Sequence, residues 1–183
     1  MKCNDTELLG VKLIEPQVFF DNRGLFFEGW NALRYSRVGI QSGFVQDNFS
    51  SSNHNVVRGL HFQHPNDQGK LISVIQGKIF DVAVDIRPNS PQYKRWAGFE
   101  LSDENHHQLW IPPGFAHGFA VLSSNAIVCY KTTDYYSPES EQTIRWDDPD
   151  INVKWPFTNP TVSPKDRAGK SLAEIPSNKL PRL

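Results

Sequence analysis

Alternating apolar and polar positions predict β-strands through the middle of the chain. The clearest run is residues 78–87. One face of this run carries Phe80, Val82, Val84 and Ile86, and the other carries Asp81, Asp85 and Arg87. Residues 71–75 form another strand just before it, with Gln76-Gly77 between the two runs. Because glycine readily adopts the positive φ of a tight turn, we expect these two strands to form a hairpin.

Further strands are expected at residues 44–50, 56–63, 108–111, 118–122 and 127–133. A helix is expected only at residues 30–37 and near the C-terminus. From Asp147 onward, four residue–proline pairs favour an extended, turning tail that packs over the strands. Closing the strands into a barrel or a sandwich would protect their edges, so the pattern predicts an all-β protein with few short helices.

Size and charge limit the possible functions. A chain of 183 residues fits one domain, which we expect to span 1–183. Lys plus Arg number 19 and Asp plus Glu number 20, so we expect neither nucleic acid nor a membrane as a partner.

The chain shows no apolar core of a signal peptide and no apolar membrane span, so a cytoplasmic protein is expected. Cys3 and Cys129 are interpreted as ordinary reduced thiols.

Two histidines lie among apolar neighbours in strand-like segments, His61 and His117. Taken alone, either is more often a structural residue than a catalyst. Strand alternation, however, puts polar side chains together on shared faces, as in the pairs His61 with Gln63, Gln46 with Asn48, and Tyr130 with Thr132. In a closed barrel such faces can line a pocket, whereas the alternative is that they face water outside.

One spacing is awkward for a shared pocket. Arg58 and His61 fall on opposite faces of a regular strand, so a bulge or a strand end is required if both reach the same site.

The histidine pair, one member in a glycine-containing segment and the other after Pro-x-Gly, resembles the pattern of the cupin barrels. Many cupins bind a metal through His-x-His, a carboxylate and a further histidine. Here Gln63 occupies the second position, and Lys70 follows where a carboxylate would be needed. Glutamine is a poor ligand and an ammonium repels a dication, so we expect no metal.

Several motifs, in order along the chain, resemble the dTDP-4-dehydrorhamnose 3,5-epimerase family of cupins. They are Phe19-Phe20-Asp21-Asn22-Arg23-Gly24, Gln46-Asp47-Asn48-Phe49-Ser50, Arg58-Gly59-Leu60-His61-Phe62-Gln63, Gly69-Lys70-Leu71, the 81–87 run, residues 113–119 and Ser163-Pro164-Lys165-Asp166. The resemblance implies a cupin-type jelly-roll β-barrel, a homodimer that exchanges strands, and no cofactor. It also implies a role in dTDP-L-rhamnose and cell-surface polysaccharide biosynthesis.

The resemblance also implies catalytic roles. The substrate would be dTDP-4-dehydro-6-deoxy-D-glucose, converted to dTDP-4-dehydro-L-rhamnose by proton exchange at C3 and C5, which the C4 ketone acidifies. His61 would be the base, oriented by Asp166. Tyr130 would return a proton on the opposite face, and Lys70 would stabilise the enolate.

Binding roles follow from the same resemblance. Arg23 and Arg58 would hold the diphosphate, since a guanidinium matches phosphate oxygens. The resemblance further assigns Phe19, Glu28, Gln46 and Asn48 to the base and sugar, in part from the partner subunit, and His117, Glu141 and Lys165 to the surroundings of the pocket.

Three alternatives remain open from the sequence. The first is an epimerase that inverts only one carbon or acts on another nucleotide-linked 4-keto sugar. The second is a metal-dependent cupin, against which Gln63 and Lys70 argue. The third is a cupin that binds a sugar nucleotide without turnover.

Overall fold

The computed structural model describes residues 1–41 and 43–182, and within them the protein is built mainly of short strands. The strands are β1 (Lys2–Asp5), β2 (Lys12–Glu15), β3 (Val18–Asp21), β4 (Gly24–Phe27), β5 (Gln46–Asn53), β6 (Val57–Gln63), β7 (Lys70–Gln76), β8 (Lys78–Asp85), β9 (Trp96–Ser102), β10 (Gln108–Ile111), β11 (Phe115–Val121), β12 (Asn125–Thr132) and β13 (Glu141–Thr143). The helices are α1 (Ala32–Ser36) and α2 (Pro164–Arg167), followed by 3₁₀ turns at Leu172–Glu174 and Ser177–Lys179. The predicted all-β class is confirmed.

Two antiparallel sheets face each other. One has six strands in the order β1-β2-β10-β7-β12-β5, and the other has five in the order β13-β6-β11-β8-β9. Apolar side chains from both inner faces, including Ile72, Val128 and Phe119, form the core between them. Strands β3 and β4 pair only with each other and form a separate hairpin, which we call the N-terminal arm (residues 18–27).

The predicted hairpin around Gly77 is wrong, although the turn itself is present. Gly77 has φ +81°, as a tight reversal requires, and an added Cβ would lie 2.2 Å from the carbonyl oxygen of Asn125. The flanking strands do not pair, because β7 bonds to β10 and β12 while β8 bonds to β9 and β11. Side-chain alternation reveals a strand but not its partner, and here the chain crosses from one sheet to the other.

The apolar face of β8 packs away from the barrel interior. Val82, Val84 and Ile86 are buried beneath the C-terminal tail, which contributes Ile151 and Leu172 among other apolar side chains. The tail therefore covers the outer face of the five-stranded sheet, as expected. The polar face of β8 points inward, so the alternative that it faces water is wrong for this strand: Asp81 and Asp85 are fully buried.

The helices are short and locally capped. Asn31 caps α1, within the predicted 30–37 segment, by accepting a hydrogen bond from the Arg34 N–H. Ser163 caps α2 by accepting from the Asp166 N–H, which fixes Asp166 beside β6. In the part of the chain that the structure describes, none of the helices combines the length and apolarity needed to cross a membrane.

Candidate active site

A polar cavity of about 340 Å³ opens between the two sheets. Eight of the predicted site residues line it: Gln46, Asn48, Arg58, His61, Lys70, His117, Tyr130 and Glu141. They come from β5, β6, β7, β11, β12 and β13, whose alternating side chains point into the barrel. Asp166 and Lys165 lie in an adjoining recess that shares Arg58 and His61.

A bulge in β6 allows Arg58 and His61 to reach the same cavity. In the ladder with β11, His61 pairs with His117 and Arg58 pairs with Phe119, so β6 has one extra residue between the two pairs. Gly59 occupies this irregularity with φ +112°, a conformation that a side chain disfavours. The structure therefore contains the bulge that strand alternation requires if Arg58 and His61 are to reach the same site.

His61 and Asp166 form a hydrogen-bonded dyad. The imidazole Nε2 lies 2.6 Å from Asp166 Oδ1, with Asp166 buried and the His61 side chain 30% exposed. Burial raises the pKa of Asp166, but the bond to His61 and the Gly59 N–H outweigh it and hold that pKa below its usual value. A neutral imidazole that donates from Nε2 carries a lone pair on Nδ1. In that tautomer, Nδ1 can accept a proton.

Tyr130 and Lys70 provide a phenol and a cation in the same cavity. Burial raises the pKa of Tyr130, with Arg58 opposing and Glu141 adding to the increase, so the phenol stays protonated at neutral pH. Burial lowers the pKa of Lys70 to about 8, against the attraction of Asp81 and Glu141. Lys70 is thus still mainly protonated at pH 7 and can stabilise negative charge.

Further charged and polar groups line the cavity or adjoin it. Glu141 accepts hydrogen bonds from Lys165 and from the Tyr136 hydroxyl. Burial raises the pKa of Glu141, but these two partners outweigh it and lower the pKa overall. On β5, the Gln46 side chain donates to Asn48 Oδ1 over 2.8 Å. These side chains offer donors and acceptors to a polar ligand.

Three predicted site residues lie outside both the cavity and the adjoining recess in this chain. Phe19 and Arg23 belong to the N-terminal arm, where Arg23 pairs with Asp21 and Phe19 is exposed. Glu28 follows the arm and contacts Arg34. The structure does not bring these residues to the dyad.

Gln63 has a role that the sequence did not predict. It is 5% exposed, and its amide donates to the carbonyl oxygens of Asn66 and Tyr135 and accepts from the Ser137 N–H. Both ends of the amide are thus used to hold the loop that carries Tyr136.

Other lining residues were missed by sequence reasoning, namely Ser50, Phe62, Gln68, Gly118, Phe119 and Tyr136. Alternation along β5 could have identified Ser50, which follows Gln46 and Asn48 at a spacing of two. The loop position of Tyr136 gives no periodic signal.

Comparison with known proteins identifies the family of this chain. The family model described as dTDP-4-dehydrorhamnose 3,5-epimerase matches residues 5–174. The chain belongs to this family. Relatives called dTDP-4-dehydrorhamnose 3,5-epimerase include one from Methanothermobacter thermautotrophicus, 51% identical over 93% of this chain and 94% of the relative. One from Neisseria gonorrhoeae is 51% identical over 98% of this chain, which spans only 55% of that relative's length.

A solved structure supports the fold assignment. The Legionella pneumophila dTDP-6-deoxy-D-glucose-3,5-epimerase, in complex with dTDP-4-keto-L-rhamnose, superposes with a TM-score of 0.97 at 50% identity, covering 100% of this chain and 98% of that one. The cupin-type jelly roll expected from the sequence is confirmed.

Proposed function

We propose that this protein is a dTDP-4-dehydrorhamnose 3,5-epimerase, an isomerase that converts dTDP-4-dehydro-6-deoxy-D-glucose to dTDP-4-dehydro-L-rhamnose without a cofactor. The observation that carries the proposal is the His61–Asp166 dyad, which opens on the cavity that also holds Tyr130 and Lys70. Family membership and the dTDP-4-keto-L-rhamnose bound in the Legionella structure support the same reaction. The product would serve dTDP-L-rhamnose and cell-surface polysaccharide biosynthesis.

The reaction begins with proton abstraction. His61 Nδ1 takes the proton from the carbon next to the C4 ketone, the C–H electron pair moves into the C3–C4 or C4–C5 bond, and the carbonyl oxygen becomes an enolate. Asp166 stabilises the imidazolium that forms, and it fixes the tautomer beforehand. Lys70 stabilises the negative oxygen, an effect of about 3–4 kcal/mol for one well-placed donor.

Inversion requires a proton on the other face of the sugar. Tyr130 donates its phenolic proton there, and the phenolate and imidazolium then exchange protons with water. Two successive cycles, one at each carbon, give the doubly inverted product. His61, Tyr130 and Lys70 serve both carbons, because C3 and C5 are both adjacent to the C4 ketone.

The nucleotide would be held partly by a second copy of the chain. We propose a homodimer with strand exchange in which the N-terminal arm supplies Phe19, Arg23 and Glu28 to the partner's cavity. Support comes from the arm itself, since Phe20 and Phe26 are more than 70% exposed and an isolated two-stranded hairpin is marginally stable in water. Arg23 and Arg58 together would neutralise the diphosphate.

Residues 1–183 would act as one domain, because the tail that carries Asp166 packs on the barrel. We further propose a cytoplasmic location, since a nucleotide diphosphate sugar does not cross a bilayer unaided.

Solvent labelling tests the function. The protein is incubated with dTDP-4-dehydro-6-deoxy-D-glucose in heavy water, and the exchanged positions are read by NMR. We expect deuterium at both C3 and C5, and no deuterium at either carbon with His61→Ala. Label at a single carbon would support a single-carbon epimerase instead, and ligand binding without exchange would support a non-catalytic sugar-nucleotide-binding protein.

A further inference from the structure

Gln108 is a buried polar side chain that none of the proposed steps uses. It lies on β10, and only 2% of its surface is exposed. β10 pairs with β7, which places Gln108 opposite Ser73. The adjacent pair, Leu109 and Ile72, belongs to the core between the two sheets. Strand alternation therefore puts Gln108 on the outer face of the six-stranded sheet, away from the cavity.

Both ends of the Gln108 amide are hydrogen-bonded. Nε2 donates to the carbonyl oxygen of Gly29 over 2.7 Å and to Ser73 Oγ over 2.9 Å. Oε1 accepts from the hydroxyl of Tyr35, a buried residue of α1, over 2.6 Å. The same hydroxyl lies 3.1 Å from the Gly29 carbonyl oxygen. Two buried side chains thus converge on one backbone oxygen, and the contact does not depend on a side chain at position 29.

Gly29 belongs to the segment where the N-terminal arm joins the barrel, which we call the arm root (residues 27–30). Exposure changes at this point of the chain, since Phe26 is 71% exposed whereas Phe27 is half-buried. The ring of Phe27 lies 5.1 Å from that of His106, centroid to centroid. The arm root is therefore the part of the arm that is held by the barrel of its own chain.

The direction of the arm root determines where the arm tip lies, because β3 and β4 pair only with each other within the described chain. Each of these strands has four residues. Four residues of strand span about 13 Å, so a rotation of about 10° at the root moves the tip, which carries Arg23, by about 2 Å. A displacement of this size breaks a hydrogen bond, whose donor and acceptor lie about 2.7–3.2 Å apart. Placing Arg23 on a phosphate therefore requires a fixed root.

We propose that Gln108, together with Tyr35, is a positioning residue that fixes the direction of the N-terminal arm and thereby strengthens nucleotide binding in the partner's cavity. This inference rests on the proposed function, in which the arm supplies Phe19 and Arg23 to the nucleotide. Gln108 and Tyr35 do not contact the ligand in this scheme. Because Gln108 faces away from the cavity that holds His61, its loss should weaken binding rather than slow proton transfer.

The test measures the binding of dTDP by isothermal titration calorimetry. Gln108→Met removes both hydrogen bonds of Nε2 and keeps a side chain of similar length. Ser73→Ala is the matched control, because it removes the other acceptor of Nε2 and leaves the bond to the Gly29 carbonyl oxygen. Both substitutions are also made in an arm variant that carries Phe19→Ala and Arg23→Ala.

We expect Gln108→Met to weaken dTDP binding about three- to tenfold, because the lost hydrogen bonds leave the arm less preorganised. In the arm variant, the same substitution should change the dissociation constant by less than about twofold, since that arm no longer holds the nucleotide. Ser73→Ala should leave the affinity within about twofold of its value in the unaltered protein. With the sugar nucleotide as substrate, Gln108→Met should raise KM about three- to tenfold and leave kcat within about twofold.

Equal weakening of dTDP binding by Gln108→Met in both backgrounds overturns the inference, because it indicates general damage rather than a loss transmitted by the arm. Unchanged binding in Gln108→Met, or an arm variant that binds dTDP as tightly as the unaltered protein, overturns it as well.

Tyr35→Phe decides the matter if Gln108→Met does not fold, since it removes the hydroxyl that bonds to Oε1 of Gln108. A loss of affinity confined to the background with the intact arm supports the inference, and an unchanged affinity or an equal loss in both backgrounds overturns it. The dTDP measurement does not require turnover. Failure of the proposed epimerase activity would therefore be distinguishable from failure of this inference.

Discussion

At the scale of single residues, Tyr130 is the group that separates proton exchange from inversion. Tyr130→Phe removes the phenolic proton but leaves the His61–Asp166 dyad intact. We expect the variant to incorporate solvent deuterium with retained configuration, because abstraction and return from the same face need only His61. NMR of the sugar in heavy water measures both exchange and configuration. Full inversion at an undiminished rate by this variant would contradict the assignment of Tyr130 as the acid.

Lys70 illustrates a conflict between function and stability. Its pKa falls from 10.5 in the unfolded chain to about 8 in the folded protein, so folding releases a proton between these values, and stability is lost as the pH drops from about 10.5 to 8. At pH 7 the protein therefore carries the full cost of burying this cation.

We expect Lys70→Met to raise the free energy of unfolding at pH 7 by about 1–3 kcal/mol, because the methionine fills similar space without a charge. Urea denaturation measures the difference, which should shrink as the pH approaches 10.5. Epimerase activity should fall about 10²–10³-fold in the same variant. A variant that is less stable than the unaltered protein at pH 7 would argue against a costly buried cation.

At the scale of elements, the strands of the barrel were largely predictable and their partners were not. The predicted strands at residues 71–75, 78–87, 108–111 and 127–133 overlap β7, β8, β10 and β12, although β8 ends at Asp85 and β12 ends at Thr132. Strands β1–β4, β9 and β13 were missed, since runs of three to seven residues with mixed burial give little periodic signal. Pairing across a jelly roll joins distant segments, so the turn at Gly77 did not reveal a crossover between sheets.

The bulge in β6 gives the element-scale prediction. Gly59→Ala should destabilise the protein by at least about 2 kcal/mol, because φ is +112° and the new Cβ would lie 2.7 Å from Gly118 Cα and the His117 carbonyl oxygen. Activity should fall as well, since relief of the clash moves Arg58 relative to His61. Gly29→Ala is the control: nothing lies within 4 Å of its added Cβ. Thermal unfolding and kcat/KM measure the two effects, and equal behaviour of both variants would contradict a required bulge.

At the scale of the whole molecule, the proposed site combines groups from both sheets, the C-terminal tail and the N-terminal arm. The sequence motifs pointed to these residues through family resemblance, but alternation alone could not show that the tail brings Asp166 to His61 across 105 positions. It also could not show that Phe19, Arg23 and Glu28 lie away from the cavity of their own chain. Both facts depend on packing between distant segments rather than on local pattern.

Subunit complementation tests whether the arm serves the partner's cavity. A His61→Asn copy and an Arg23→Glu copy, each with little activity alone, are co-expressed with different tags. If the arm acts on the partner, each mixed dimer contains one intact site, formed by the cavity of the Arg23→Glu copy and the arm of the His61→Asn copy. With equal expression, half of the dimers are mixed, and we expect about one quarter of normal activity.

The control pairs His61→Asn with Tyr130→Phe, two changes within the same cavity, and should recover no inversion, because every site then lacks one catalytic group wherever the arm docks. If the arm folds back on its own chain, the His61→Asn and Arg23→Glu mixture should be no more active than this control. Activity recovered in the first mixture but not in the control would therefore show that two chains complete one site. Mixed dimers in which each chain forms its whole site alone would recover no activity.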